Sequence, residues 1–415
     1  MTTARQKSTQ RRRRPMTREE AKAREERRRH QQEMEQQSRE LAKGPIDLPF
    51  CLLVLLLTAI GLVMLLSASF PSAYYETQKD GGTAQPAYYF IRQAIFAVMG
   101  VAAMFFIGKI NYQRFRGVAK PLLYVSIVLL FLVLIPGIGI VRNHARRWLG
   151  FGTLLTFQPS EIAKVAVILY FSDSISKKKD KMRTTRYGVV PYMLWLLVVG
   201  GLVAKEPHLS GAILIMGTGA VLMLVGGISW GWVGVAVGAV AGALYFILFV
   251  IGYNTSRITY WLNPWEDAQG AGYQLSQSLI SIGSGGLMGL GLGKSRQKFL
   301  YLPEEHNDFI FAIICEELGL IGATIIMILF AALILRGYWI ALHARDRFGS
   351  LLVVGVTTLV AMQVFLNIGV VTGLLPTTGI SLPFFSYGGT ALSIQLAEMG
   401  IVLSVSRQMK PTKAG

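Results

Sequence analysis

From residue 48 onward the chain alternates long apolar runs with short polar breaks. Ten runs approach the roughly twenty apolar residues an α-helix needs to cross a bilayer. They fall near 48–70, 87–108, 120–136, 160–175, 189–204, 210–227, 230–252, 309–335, 350–374 and 391–406. The pattern predicts an all-α polytopic membrane protein of about ten transmembrane helices. A large extracytoplasmic loop, residues 253–308, separates spans 7 and 8. The first run is too long for the apolar core of a cleavable signal and reads as a retained span.

Three segments follow. Residues 1–45 carry RRRR at 11–14 and RRR at 27–29 among Glu and Gln repeats, with no apolar stripe that could bury a core. They read as a disordered basic cytoplasmic tail, a solvated orientation signal or one that touches anionic lipid or a cytoplasmic partner. Residues 46–408 form the membrane domain, and 409–415 a cytoplasmic C-terminal tail.

Charge sets the orientation. Lys109, Arg114, Arg116 and Lys120 lie in one break, and six cations from Lys177 to Arg186 in another. Arg336, Arg345 and Arg347, and then Arg407, Lys410 and Lys413, complete the set. With ten spans all of these fall on the side of the basic tail, so both termini are cytoplasmic by the positive-inside rule. The net charge of +18 would suit nucleic acid. Its concentration in a tail and short loops beside spans gives it to the bilayer instead, and no nucleic-acid partner is expected.

Two outer loops break the rule. One carries Arg142, Arg146 and Arg147; paired arginines followed by Trp148 suit a phosphate or pyrophosphate at headgroup level. The other is 253–308, with Lys294, Arg296 and Lys298. Misplaced cations beside Asp267, which Pro264 and Gly270 bracket, point to chemistry on an anionic, membrane-borne substrate. Asp267 fits two roles, a turn or cap residue and a general base.

The remaining ionisable groups are read in the same way. Glu161 and Lys164 share a helix face behind Pro159, as an internal ion pair or as functional groups. Glu316 and Glu317 lie about two turns inside their span without a local cation, which favours a cavity-facing role. His208, beside Pro207, reads as a hydrogen-bonded turn histidine. The run GLGLGKS places Met288 where a P-loop requires its first glycine, so its glycines serve tight turns or close packing. Cys51 and Cys315 fall on opposite predicted sides of the membrane and support no disulfide or metal cluster.

Four stretches, YWLNPWEDAQGAGYQLSQSL, YLPEEHNDFIFAIICEELG, RRWLGFGTLLTFQPSEIAK and LLPTTGISLPFFSYGGTA, together resemble the SEDS (shape, elongation, division and sporulation) family across roughly 48–406. NPWED and the long polar tail resemble the division branch more than the elongation branch; a sporulation-type relative is the alternative. The resemblance implies a peptidoglycan glycosyltransferase that polymerises lipid II at the septum of the bacterial inner membrane. It implies a class B penicillin-binding protein and other divisome membrane proteins as partners. A divalent cation, Mg or Mn, is implied without a visible ligand cluster, and no organic cofactor is expected. Asp267 maps onto the family's essential aspartate. Arg147, Glu161, Lys164, Pro376 and Pro383 map onto its substrate-binding positions, and Arg146, Lys294, Arg296, Lys298 and Glu317 join that set on charge. The chain departs from the family pattern at Ala268, at Thr378 and in EPHLSG over 206–211. A lipid II flippase and a non-catalytic scaffold that recruits the transpeptidase are the alternative functions.

Overall fold

The computed structural model describes residues 44–79, 83–142, 145–151, 155–229 and 255–409, with scattered positions between 231 and 238. The basic tail up to residue 43, most of the expected 230–252 span and the last six residues lie outside the described set.

The helices follow the apolar runs. α1 (Leu48–Lys79), α2 (Tyr88–Lys109) and α3 (Phe115–Leu134) come first, then the strands β1 (Ile140–Arg142), β2 (Ala145–Phe151) and β3 (Leu155–Phe157). Next are α4 (Pro159–Lys178), α5 (Val190–Lys205) and α6 (Leu209–Val225). Two short helices, α7 (Thr255–Leu262) and α8 (Tyr273–Gly285), precede α9 (Ile310–Leu342), α10 (Arg347–Val371) and α11 (Gly389–Ser406). Among the described residues, seven are long and apolar enough to cross a membrane: α1, α2, α3, α5, α9, α10 and α11, with α3 and α5 lengthened by short turns. α4 and α6 occupy the expected fourth and sixth spans. α4 is more polar because Glu161, Lys164, Asp173, Lys177 and Lys178 fall on it, and α6 is shorter.

Two departures from the pattern shape the face opposite the basic breaks. The break at 137–159 is an antiparallel three-stranded sheet in the order β1-β2-β3, not an open loop, with Ile140 opposite Trp148 and Leu149 opposite Phe157. The interruption at 253–308 is largely folded, and its glycine run docks on α9. That helix breaks at Gly319, whose φ of 65° suits glycine. Leu290 N and Gly291 N donate to the carbonyls of Glu316 and Glu317 at 2.9 and 3.0 Å. Leu320 N and Ile321 N donate back to Gly286 O and Leu287 O. The glycine segment therefore satisfies the broken helix, as a span requires. A Cβ on Gly289 would come within 2.2 Å of Glu317 O, which explains the glycines better than any nucleotide site.

On the face with the basic breaks, cations act as struts. Arg116 bridges Asp173 at 3.2 Å and Asp346 at 3.1 Å, and Asp346 also caps α10 by accepting from Gly349 N. Arg336 pairs with Asp47 at 2.7 Å, and Arg407 holds Gly44 O at 2.8 Å. α10 is the most enclosed span, and its Asn367 reaches toward the opposite face, where the site lies.

Candidate active site

A cavity of about 300 Å³ opens among the sheet, α4, the α5–α6 turn, the segment before α9 and the loop before α11. Arg147, Glu161, Lys164, His208, Glu304, Asp308 and Tyr387 line it. A smaller recess continues from Glu161 and Lys164 past Pro383 to Glu398.

Strand geometry decides which arginine arrives. Successive side chains of β2 point to opposite sides. Arg146 donates to Leu134 O at the end of α3, while Arg147 turns to the α5–α6 turn and donates to Glu206 O at 3.2 Å and to Pro207 O. Of the expected pair, Arg147 lines the cavity and Arg146 braces the sheet. α4 starts at Pro159, so Glu161 lies in its first turn and Lys164 one turn on; their charged groups are 2.7 Å apart. Both face the cavity. The ion-pair and site readings of this couple are therefore compatible.

Three carboxylates line the cavity, Glu161, Glu304 and Asp308; Asp308 stands at the end of the polar segment, two residues before α9. Asn367 fixes it by donating to both Asp308 O and Ile380 O at 2.7 Å, which ties the α9 entry to the loop before α11. Burial pushes the Asp308 carboxyl up to about 7, Glu304 adds to the rise and Arg147 opposes it. Burial holds His208 down at about 3, so it is neutral at pH 7, and its ring Nδ1 sits 3.1 Å from Gln158 Nε2. The turn role expected of His208 is met, and the ring also lines the cavity. Glu206 is wholly buried. Neither of its carboxylate oxygens has a hydrogen-bond partner among the described residues, and burial raises it to about 8.

Asp267 stands elsewhere. Its carboxylate accepts from Ala271 N at 2.9 Å, and its carbonyl accepts from Gly270 N and Gly272 N. It builds the turn that leads into α8 and is not among the cavity residues. Pro376 lies in the loop before α11, also outside the lining.

Two expectations are corrected. Lys298 was expected to face pyrophosphate, but its ammonium lies 2.8 Å from Glu317 Oε1, with side chains 4% and 0% exposed. Glu317 was expected to face a cavity without a cation; Lys298 is that cation, nineteen residues back along the chain. Glu316 accepts from Ser295 Oγ and the Arg296 and Gln297 amides. Lys294 and Arg296 are exposed, outside the cavity lining.

The residues that went unnoticed in the sequence are Asp308, Glu304, Tyr387 and Glu398. The available signal for Asp308 was a run of ionisable groups, Glu304, Glu305, His306 and Asp308, pressed against the start of an apolar span.

A family model described as "Cell cycle protein", covering FtsW, RodA and SpoVE, matches residues 48–411. The chain belongs to this family. Within it, "Stage V sporulation protein E" of Bacillus subtilis is 44% identical over 369 residues, covering 87% of this chain and 97% of that protein. "Probable peptidoglycan glycosyltransferase FtsW" of Geobacter metallireducens is 42% identical over 369 residues, covering 88% and 96%. Sporulation and division relatives thus stand nearly level. Among solved structures, a peptidoglycan synthase complex that coordinates polymerization and crosslinking contains a chain matching at a TM-score of 0.73 and 27% identity, covering 89% of this chain and 99% of that one. The rod shape determining protein RodA of Thermus thermophilus matches at 0.65 and 28%, with the same coverage. The SEDS resemblance and the polytopic helical fold are both borne out.

Proposed function

We propose that this protein is a membrane-embedded peptidoglycan glycosyltransferase that polymerises lipid II during cell division, together with a class B penicillin-binding protein. The observation that carries the reading is the juxtaposition of Asp308 with Arg147 and Lys164 in one cavity. The names of its relatives supply the reaction class, and the synthase complex among its structural neighbours supplies the kind of partner. Other divisome proteins and a septal location in the inner membrane belong to the same reading.

Asp308 is the general base in this proposal. A carboxylate near 7 is matched to proton abstraction at neutral pH, whereas one oxygen of Asp267 is already engaged in a turn. The 4-hydroxyl of the acceptor sugar gives its proton to Asp308 as its oxygen bonds to the donor's anomeric carbon. The bond from that carbon to the pyrophosphate oxygen breaks, and lipid pyrophosphate leaves. Arg147 and Lys164 meet the charge that develops on it. Glu161 holds Lys164 in place, and neutral His208 and Gln158 offer uncharged polar contacts to the sugar.

Among the described residues, no three His, Cys, Asp or Glu side chains converge as a metal cage. We assign no residues to the Mg or Mn ion that the resemblance implies; when bound, it would supply charge neutralisation for the leaving pyrophosphate. The test is purified protein with lipid II, with and without the transpeptidase, scored for glycan polymer. A flippase or a scaffold makes none under either condition.

A further inference from the structure

The exposed part of the segment between α8 and α9 has a composition unsuited to an aqueous loop. Leu287, Met288 and Leu292 are 66%, 79% and 54% exposed, and Phe299, Leu300 and Tyr301 are also exposed. Lys294 and Arg296 stand among them, exposed as well. Six large apolar side chains around two cations would be an aggregation hazard in water.

Their depth explains them. The hairpin is fixed to α9 by the Ile321 N to Leu287 O and Leu320 N to Gly286 O bonds. Its tip is therefore level with residues 320–321. At the other end of α9, Arg336 pairs with Asp47 and stacks on Trp339 at 4.0 Å, a charged and aromatic pair typical of the inner interface. From Arg336 back to Leu320 is sixteen residues, about 24 Å at 1.5 Å each. A hydrocarbon layer of about 30 Å then leaves the tip roughly 6 Å below the outer boundary. Leu320, Ile321, Ile325 and Ile328 are exposed on α9 itself, so the Leu287–Leu292 tip continues a face that already meets lipid.

We propose that residues 286–301 form a lipid-docking hairpin whose occupant is outer-leaflet phospholipid with an anionic headgroup. Leu287, Met288 and Leu292 enter the acyl layer, and Lys294 and Arg296 sit above them at phosphate level. An insertion of 5–10 Å with cations at the rim is how interfacial elements bind bilayers. The hairpin thereby pins α8 and the start of α9 to the plane in which a lipid-linked substrate moves. The two exposed cations take lipid phosphate in this arrangement, and the cavity takes the substrate.

The test uses the full chain in nanodiscs of phosphatidylcholine with phosphatidylglycerol. Single cysteines at Met288 and Leu292 are spin-labelled; native Cys51 and Cys315 are buried. Ile325→Cys serves as the lipid reference and Gln269→Cys as the aqueous one. Both hairpin labels should collide with oxygen in preference to an aqueous nickel chelate, as the label at Ile325 does. Nickel access equal to that at Gln269 overturns the proposal. Shielding that appears only when the transpeptidase is added also overturns it, because the face would then be a protein contact. Lys294→Gln and Arg296→Gln should each lower the preference for spin-labelled phosphatidylglycerol about fivefold, the effect of one cation at an anionic surface. An unchanged preference in the double variant removes the headgroup half of the proposal.

Discussion

The Lys298 ammonium lies 2.8 Å from Glu317 Oε1, sealed between the glycine hairpin and α9, and Ser67 on α1 bonds to both groups. Three separate segments meet at this pair. Removing one charge strands the other away from water, which costs about 3–5 kcal/mol for buried pairs. Lys298→Met should therefore melt well below the parent in detergent, and Lys298→Met with Glu317→Gln should recover much of the loss. A Lys298→Met protein that melts normally but needs far more lipid II would return Lys298 to the substrate.

Gly289 tests the same junction through the backbone. Its φ is +78°, and a Cβ there would press on Glu317 O. Gly289→Ala should lose about 1–3 kcal/mol of stability as strain. Gly283, inside α8 with nothing near its missing side chain, is the control. There, alanine should be neutral or stabilising, since it favours helix. Equal melting of the two variants would dissolve the argument.

These two regions also mark where the sequence was readable. The spans were, because period and length carry the information that a bilayer imposes; α1, α2, α9, α10 and α11 match apolar runs. Arg147, Glu161 and Lys164 were visible because a cation that breaks the charge asymmetry and charges within a span are costly enough to stand out. Asp308 was not, because the ionisable run before its span reads as a polar boundary and does not single it out over Asp267. What separates them is the Asn367 hydrogen bond and the charge of Arg147 in the same cavity, from residues 59 and 161 positions away in the chain. Lys298 and Glu317 misled for the same reason. A salt bridge across nineteen residues, from an irregular segment to a helix, has no periodic signature, so each partner looks unpaired in the sequence.

Orientation rests on the charge asymmetry and can be read directly. Cysteines at Lys178 and Arg345 should be shielded from an impermeant thiol reagent in intact cells, while one at Gln269 should react. Labelling of the first two would invert the topology and put the cavity on the cytoplasmic face.

The Asp308 assignment is the most exposed to test. Asparagine keeps the shape and one acceptor oxygen but cannot take a proton. Asp308→Asn should lower polymerisation by about 10²–10⁴-fold, the range for lost acid–base catalysis. Asp267→Asn should act mainly on the turn into α8. In the parent, kcat/KM should rise with pH through about 7 as Asp308 ionises, and the residual activity of the variant should lack that limb. Stability supplies a second readout with the opposite sign. The carboxyl is raised in the folded state, so between about pH 4 and 7 the native protein holds more protons than the unfolded chain. Its stability therefore falls as pH rises through that interval. Asp308→Asn abolishes this dependence and should melt higher than the parent at pH 8 while making almost no polymer. If Asp308→Asn polymerises at a near-parental rate and Asp267→Asn does not, the base belongs at the α8 turn and the cavity only binds.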